Sequence, residues 1–124
     1  MQSSSRLFSF ECRDDMVIVV PVGDLGEFNF EHMEAEAKEA FHHLEHSADK
    51  VHVVVDFTNT SYFGSTALGL FLKLWRRVRL RRGHMAFCGL SDRELEILRV
   101  TKLDTLWSIC ETREEAIEAV RRAV

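Results

Sequence analysis

The stretch that decides the fold is residues 61–72, Ser61-Tyr62-Phe63-Gly64-Ser65-Thr66-Ala67-Leu68-Gly69-Leu70-Phe71-Leu72. A β-branched run, Val51–Val55, precedes it and predicts a buried strand that ends at Asp56. Leu74 and Val78 follow at a spacing that continues an apolar helical face. Ser65 therefore lies where a loop becomes a helix.

Two roles are open for the Ser65 hydroxyl. Serine is a favoured N-cap, where its oxygen accepts a backbone N–H of the first turn, and the local pattern alone favours this role. The same position suits a phosphate, because free N–H groups and the helix dipole both favour negative charge there. A phosphorylation switch is therefore the alternative interpretation.

Length and composition favour one domain with a substantial core, because 46% of the 124 residues are apolar. We expect the domain to cover residues 7–124, with 1–6 as a loose tail. The net charge of −4 disfavours a dedicated nucleic-acid binder. No apolar run is long enough to cross a bilayer, and the start lacks a secretion signal, so we expect a cytoplasmic protein without membrane insertion.

Periodicity along the chain predicts the order β-β-α-β-α-β-α-β-α. The expected strands cover residues 7–12, 16–22, 51–55, 85–88 and 106–110. Asp14 and Asp15 suit a tight turn between the first two strands, and the first helix should run from about Asn29 to Glu45. Strands alternating with helices indicate a single α/β domain. Its sheet should be mixed and mostly parallel, with about five strands, four helices and an N-terminal β-hairpin.

Helix boundaries are marked by local signals. Ser91 with Glu94, and Thr112 with Glu115, match the capping-box pattern at the starts of the last two helices. Gly83 is expected to end the middle helix in a left-handed conformation.

Three cysteines, Cys12, Cys88 and Cys110, lie far apart without a CxxC pair or zinc spacing, so we expect reduced, mostly buried thiols. Cys88 lies at a strand end, where α/β proteins place active groups, and His84 and Asp92 are close to it along the chain. A buried core thiol is nevertheless the favoured interpretation.

Several other groups have two interpretations. His42 and His46, with His43 beside them, could share a metal, although a solvated helix face explains them more simply. Asp56 could face a ligand or cap the amides of its own loop. A basic run could dock an acidic partner or a lipid headgroup, or form a solvated helix end; it comprises Lys73, Arg76, Arg77, Arg79, Arg81 and Arg82.

The middle helix is unusually rich in apolar residues. They could face a partner, or the helix could be wedged between the sheet and another helix. The residues concerned are Leu68, Leu70, Phe71, Leu72, Leu74 and Trp75.

At three places the chain resembles the STAS domain family, typified by bacterial anti-sigma factor antagonists. Residues 53–56 and 63–69 resemble the family's strand and its Asp-Ser-Ser/Thr-Gly-Leu-Gly helix start. Residues 83–91 are similar to its next strand and turn, and 95–104 to its Leu-x-x-x-Gly-Leu-x segment. The resemblance covers about Phe10 to Val120.

The resemblance implies a binding switch rather than an enzyme, without cofactor or metal. In the family, a serine kinase that is also the anti-sigma factor phosphorylates a serine at this helix start. The unmodified form binds that kinase and frees the sigma factor, and a phosphatase resets the system. By position the acceptor is Ser65, with Ser61 and Thr66 as nearby substitutes. The partner-binding surface would comprise Asp24, Gly26, Asp56, Gly64, Ser65, Thr66 and Leu68. Whether the protein forms a homodimer stays open.

Four residues depart from the family pattern. Gly64 stands where the family has Asp, Ala67 and Lys102 where it has Gly, and Gly26 where a loop would supply a second acid. A less negative site would accommodate a phosphate more easily, or the kinase would no longer recognise the loop.

Two other functions are therefore open. The first is a STAS scaffold that is not phosphorylated, or a subunit of a lipid-transport complex. The second is a small α/β enzyme or redox protein using Cys88, or a metal protein using His42 and His46.

Overall fold

The computed structural model describes residues 6–23, 25–26, 30–46 and 50–123, without the side chain of Phe30. Its strands are β1 (Phe8–Arg13), β2 (Met16–Pro21), β3 (His52–Asp56), β4 (Met85–Cys88) and β5 (Ser108–Cys110). Its helices are α1 (Phe30–His46), α2 (Ser65–Leu80), α3 (Asp92–Val100) and α4 (Arg113–Arg122).

The described residues form one five-stranded sheet with the order β1-β2-β3-β4-β5. Strands β1 and β2 pair antiparallel across a turn at Asp14 and Asp15, and each later neighbour pairs parallel. The predicted mixed sheet and N-terminal hairpin are therefore confirmed. Pro21 closes β2, at a strand end where its missing N–H interrupts no ladder.

Helices cover both faces of the sheet, which is why the central strands carry apolar residues in succession. All five residues of β3 are buried. On one face, side chains such as Val53 and Val55 join the core with α1 and α2. On the other face, Val54 and Ala86 pack with Ala116 and Val120 of α4.

Most apolar residues of α2 are buried in the core, as the second interpretation expected, although α1 also packs directly on the sheet. Phe71 is 1% exposed and contacts Phe87 of β4 edge-on, with ring centroids 5.5 Å apart. Leu72 and Trp75 are half-buried and pack against the same core. Because α2 contacts both the sheet and α1, it uses apolar side chains on more than one stripe.

Both predicted capping boxes are present. Ser91 and Glu94 exchange hydrogen bonds at the start of α3, and Thr112 and Glu115 do so at the start of α4. These caps depend on side chains three residues apart, so the sequence alone is sufficient to predict them.

The end of α2 differs from the prediction. Arg82, not Gly83, takes the left-handed conformation, with φ 57°. Gly83 is required for another reason: an added Cβ would overlap the carbonyl oxygen of Val51. Lys102 is also left-handed, with φ 62°, at the position where the family pattern has glycine.

Two further predictions were wrong in detail. Strand β5 begins at Ser108, because Leu106 and Trp107 follow a short 3₁₀ turn at Leu103–Thr105 and Trp107 stacks on Phe87 at 4.6 Å. Cys12 is exposed, because it lies on the edge strand β1.

Candidate functional site

The candidate site lies at the edge of the sheet where the carboxyl ends of the parallel strands meet. Loops leave β2, β3 and β4 at this edge and lead into α1, α2 and α3. Open α/β sheets commonly bind their ligands and partners outside these strand ends.

The β2 loop and the β3 loop pair with each other at this edge. Leu25 and Phe63 form a parallel bridge, and the Gly64 amide donates to the Leu25 carbonyl at 3.1 Å. The half-buried Gly26 therefore lies beside the start of α2. Asp24, predicted to belong to the same surface, lies outside the described residues.

Ser65 is exposed and is the first residue of α2. The N-cap is Gly64, so the predicted capping role of Ser65 is wrong. The bridge to Leu25 holds Gly64 extended, with φ −98° and ψ −176°, and its carbonyl accepts the first helical bond from Leu68. The hydroxyl of Ser65 is therefore presented on the first turn, where backbone amides and the helix dipole favour a negative group.

The other predicted partner-binding residues differ in exposure. Thr66 is half-buried, whereas Gly64, Leu68 and Asp56 are buried. These three residues support the surface from beneath. Ser61, a nearby hydroxyl, is exposed like Ser65.

The carboxylate of Asp56 organises the β3 loop, so its second interpretation is supported. Its Oδ1 accepts from the Thr58 amide at 3.0 Å and from the Thr58 hydroxyl at 2.5 Å. Its Oδ2 accepts from Nε of Arg113 at 2.9 Å. Burial acts to raise the pKa of Asp56, but the bonds from Thr58 and Arg113 outweigh it and the pKa is lowered. The Asp56 carboxylate thus links the end of β3 to the first residue of α4.

Cys88 has the environment of a core thiol. It is fully buried, and burial together with the charge of Asp56 raises its pKa to about 12. His84 stacks on His52, with ring centroids 5.7 Å apart, and precedes β4, whereas Cys88 ends that strand. His84 and Cys88 therefore lie at opposite ends of β4.

The remaining candidate residues lie on helix surfaces and contact other residues of the chain. His42 and His46 are exposed, and Nδ1 of His46 lies 2.9 Å from the His42 carbonyl. Among the described residues, no group of three or more His, Cys, Asp or Glu side chains comes together as a metal ion needs. In the basic run, Lys73 pairs with Glu34 of α1 at 3.1 Å, and Arg79 lies over Trp75 at 4.9 Å.

Sequence reasoning missed two contacts that shape the site. The hydroxyl of Ser91, in the α3 capping box, also donates to the Ser61 carbonyl at 2.8 Å. The guanidinium of Arg93 lies 5.3 Å from the centre of the Tyr62 ring. Both contacts join the loop before α2 to the start of α3, about 30 residues further along the chain, so no local sequence pattern indicated them.

A profile of the STAS domain matches residues 8–116. The chain belongs to the STAS domain family. No helix among the described residues has the length and apolarity that crossing a membrane requires.

Named relatives of this STAS domain are anti-sigma factor antagonists. The anti-sigma-B factor antagonist of Listeria monocytogenes is 34% identical over 55 residues, which are 44% of this chain and 48% of the relative. The match thus spans about half the length of that relative.

Solved structures share the fold. An anti-sigma-factor antagonist (STAS) domain protein from Planctomyces limnophilus has a TM-score of 0.78 at 24% identity, covering 92% of this chain and 97% of its own. The anti-sigma factor antagonist SpoIIAA in its unphosphorylated form has a TM-score of 0.74 at 24% identity, covering 94% and 98%. The Bacillus cell-fate determinant SpoIIAA in its phosphorylated form has a TM-score of 0.67 at 23% identity, covering 92% and 99%.

Proposed function

We propose that this protein is an anti-sigma factor antagonist that binds an anti-sigma factor with serine kinase activity, and that phosphorylation of Ser65 switches the binding off. A phosphatase returns it to the binding form, and both reactions take place in the cytoplasm. The observation that carries the proposal is the exposed Ser65 on the first turn of α2, beside the Leu25–Gly26 loop.

The geometry supports both halves of the switch. An exposed hydroxyl at a helix start is within reach of a kinase, and the neighbouring amides favour the product. The phosphate adds about −1.5 to −2 charges at the surface that the partner would contact, so repulsion and desolvation oppose docking. SpoIIAA, which has the same fold, is known in an unphosphorylated and a phosphorylated form.

The test is phosphorylation by a cognate anti-sigma kinase with ATP, read by intact-protein mass spectrometry and peptide mapping. We expect one phosphate on Ser65 and none on the Ser65→Ala protein, whereas Ser61→Ala and Thr66→Ala are modified like wild type. Equal labelling of Ser65→Ala would reject the assignment. We also expect Ser65→Asp to bind the kinase more weakly, and an unchanged affinity would refute the charge mechanism.

A second candidate is a STAS scaffold that is not phosphorylated, or a subunit of a lipid-transport complex. It is favoured by the glycines at positions 26 and 64, which replace the acids of the family pattern. Stable co-purification with a transporter subunit, together with no modification by any cognate kinase, would decide for it.

A further inference from the structure

The start of α3 places a positive charge beside the loop that leads to Ser65. Tyr62, three residues before Ser65, is 44% exposed, and the guanidinium of Arg93 lies over its ring at 5.3 Å. Arg93 is exposed, and among the described residues it forms no ion pair with a carboxylate. Its charge is therefore available to a group from outside the chain.

The pair is held in place by the loop and the helix that carry it. The Ser91 hydroxyl donates to the Ser61 carbonyl at 2.8 Å and accepts from the Glu94 amide at 3.1 Å. Glu94 is fully buried and accepts from the Ser91 amide at 2.8 Å. Tyr62 and Arg93 thus flank a fixed junction, so little ordering is needed when a partner binds.

We propose that Tyr62 and Arg93 form the recognition pair that receives a carboxylate of the partner protein. The inference rests on the proposed function and names the contact through which that function acts. A guanidinium binds a carboxylate in a bidentate manner, and tyrosine and arginine are enriched among the residues that dominate binding energy. An acidic side chain satisfies Arg93, while Tyr62 supplies apolar contact area.

The same pair couples binding to the state of Ser65. Three residues of chain separate Tyr62 from Ser65, so their Cα atoms lie at most about 11 Å apart. This upper limit slightly exceeds one screening length, about 8–10 Å, so part of the charge of a phosphate on Ser65 would still act on the pair. A phosphate on Ser65 repels the incoming carboxylate and competes with it for Arg93. Phosphorylation therefore offsets part of the positive charge that the partner recognises.

The first test measures affinity for the cognate anti-sigma kinase by calorimetry. Arg93→Gln is expected to bind about tenfold more weakly, because a hydrogen-bonded charge pair is lost. Tyr62→Phe keeps the ring and should retain affinity, whereas Tyr62→Ala should not. Arg99→Gln removes the same charge from an exposed position further along α3 and is the matched control.

Phosphorylated protein sharpens this test. If the phosphate acts through Arg93, it should weaken binding less in Arg93→Gln than in wild type, so the two effects are not additive. Wild-type affinity in Arg93→Gln, with phosphorylation still abolishing binding, would overturn the inference and leave the proposed function intact. No binding of wild type to the kinase would instead refute the proposed function.

A second test needs no kinase. Tyr62 is the single tyrosine of the chain, so ¹³C-labelled tyrosine gives one set of ring signals in an NMR spectrum. We expect a hexaglutamate peptide to shift these signals in wild type and in Arg99→Gln but not in Arg93→Gln, and a hexaglutamine peptide to shift none. Unmoved wild-type signals, or equal shifts in all three proteins, would overturn the inference.

Discussion

The two ends of helix α2 differ in exposure and in packing. At its start, Ser65 is exposed and its N-cap, Gly64, provides no side-chain hydrogen bond. At its end, Gly83 is buried against Val51, and Arg77 forms an ion pair with Glu45 of α1. The end of α2 is thus packed closely against the strand β3 region and α1, whereas the first residue of the helix is exposed to solvent.

Gly83→Ala, just after the end of α2, should cause the largest loss of stability. The added methyl group would overlap the Val51 carbonyl oxygen and press on Val78, so the backbone must shift. We expect the free energy of unfolding, measured by urea denaturation, to fall by about 3 kcal/mol. A loss below about 0.5 kcal/mol, within the range of ordinary surface substitutions, would mean that this end is not closely packed.

Arg113→Gln tests the ion pair between Arg113 and Asp56, which lies below the candidate site. Losing the bond to Asp56 should lower the free energy of unfolding by about 2 kcal/mol at pH 7. The folded pKa of Asp56 is lowered, so its contribution is present above the unfolded pKa and is lost as pH falls through the folded value.

The difference between wild type and Arg113→Gln should therefore shrink below about pH 4. Arg122→Gln, an exposed exchange on the same helix, is the control. A difference that does not depend on pH would show that Asp56 is not the partner that matters.

His52→Asn tests a buried histidine at the start of β3, at the opposite edge of the sheet from the candidate site. His52 is buried, and its Nδ1 accepts from the His84 amide at 2.9 Å. Burial, and then the charges of His84, Lys50 and Arg121, lower the pKa of His52, against the opposing effect of Asp15. The unfolded state therefore binds a proton at His52 more readily than the folded state does. The contribution of His52 to stability is complete above about pH 6.5 and is lost as the pH falls below that value.

Asparagine can keep the acceptor without titrating. Between about pH 7.5 and 5.5 we expect the wild type to lose more stability than His52→Asn, because only the wild type has a side chain at position 52 whose pKa is lower in the folded state. His46→Asn, on an exposed face of α1, serves as the control. Parallel pH profiles for wild type and His52→Asn would show that His52 does not cause the loss of stability at low pH.

Gly69→Ala should have the smallest effect and the opposite sign to Gly83→Ala. Gly69 is exposed within α2, and an added Cβ would meet nothing within 4 Å. Alanine is favoured over glycine inside helices, so the free energy of unfolding should rise by about 0.5–1 kcal/mol. A loss of stability would remove the contrast between the two glycines.

Features with a local cause were predictable. The order of strands and helices follows from apolar periodicity, and the two capping boxes follow from side chains three residues apart. The position of Ser65 at the start of α2 follows from the same signals. The N-cap could not be assigned in this way, because the bridge from Leu25 to Phe63 holds Gly64 extended.

By itself, the amino-acid sequence determined the α/β architecture and placed Ser65 at a helix start, because backbone periodicity and capping act over a few residues. Only the tertiary structure decided which groups meet there. It brought Arg93 over Tyr62 and Arg113 to Asp56, and it buried Leu68 while leaving Ser65 exposed. Contacts between segments far apart in the chain form only when the sheet and its helices pack together, and no local pattern records them.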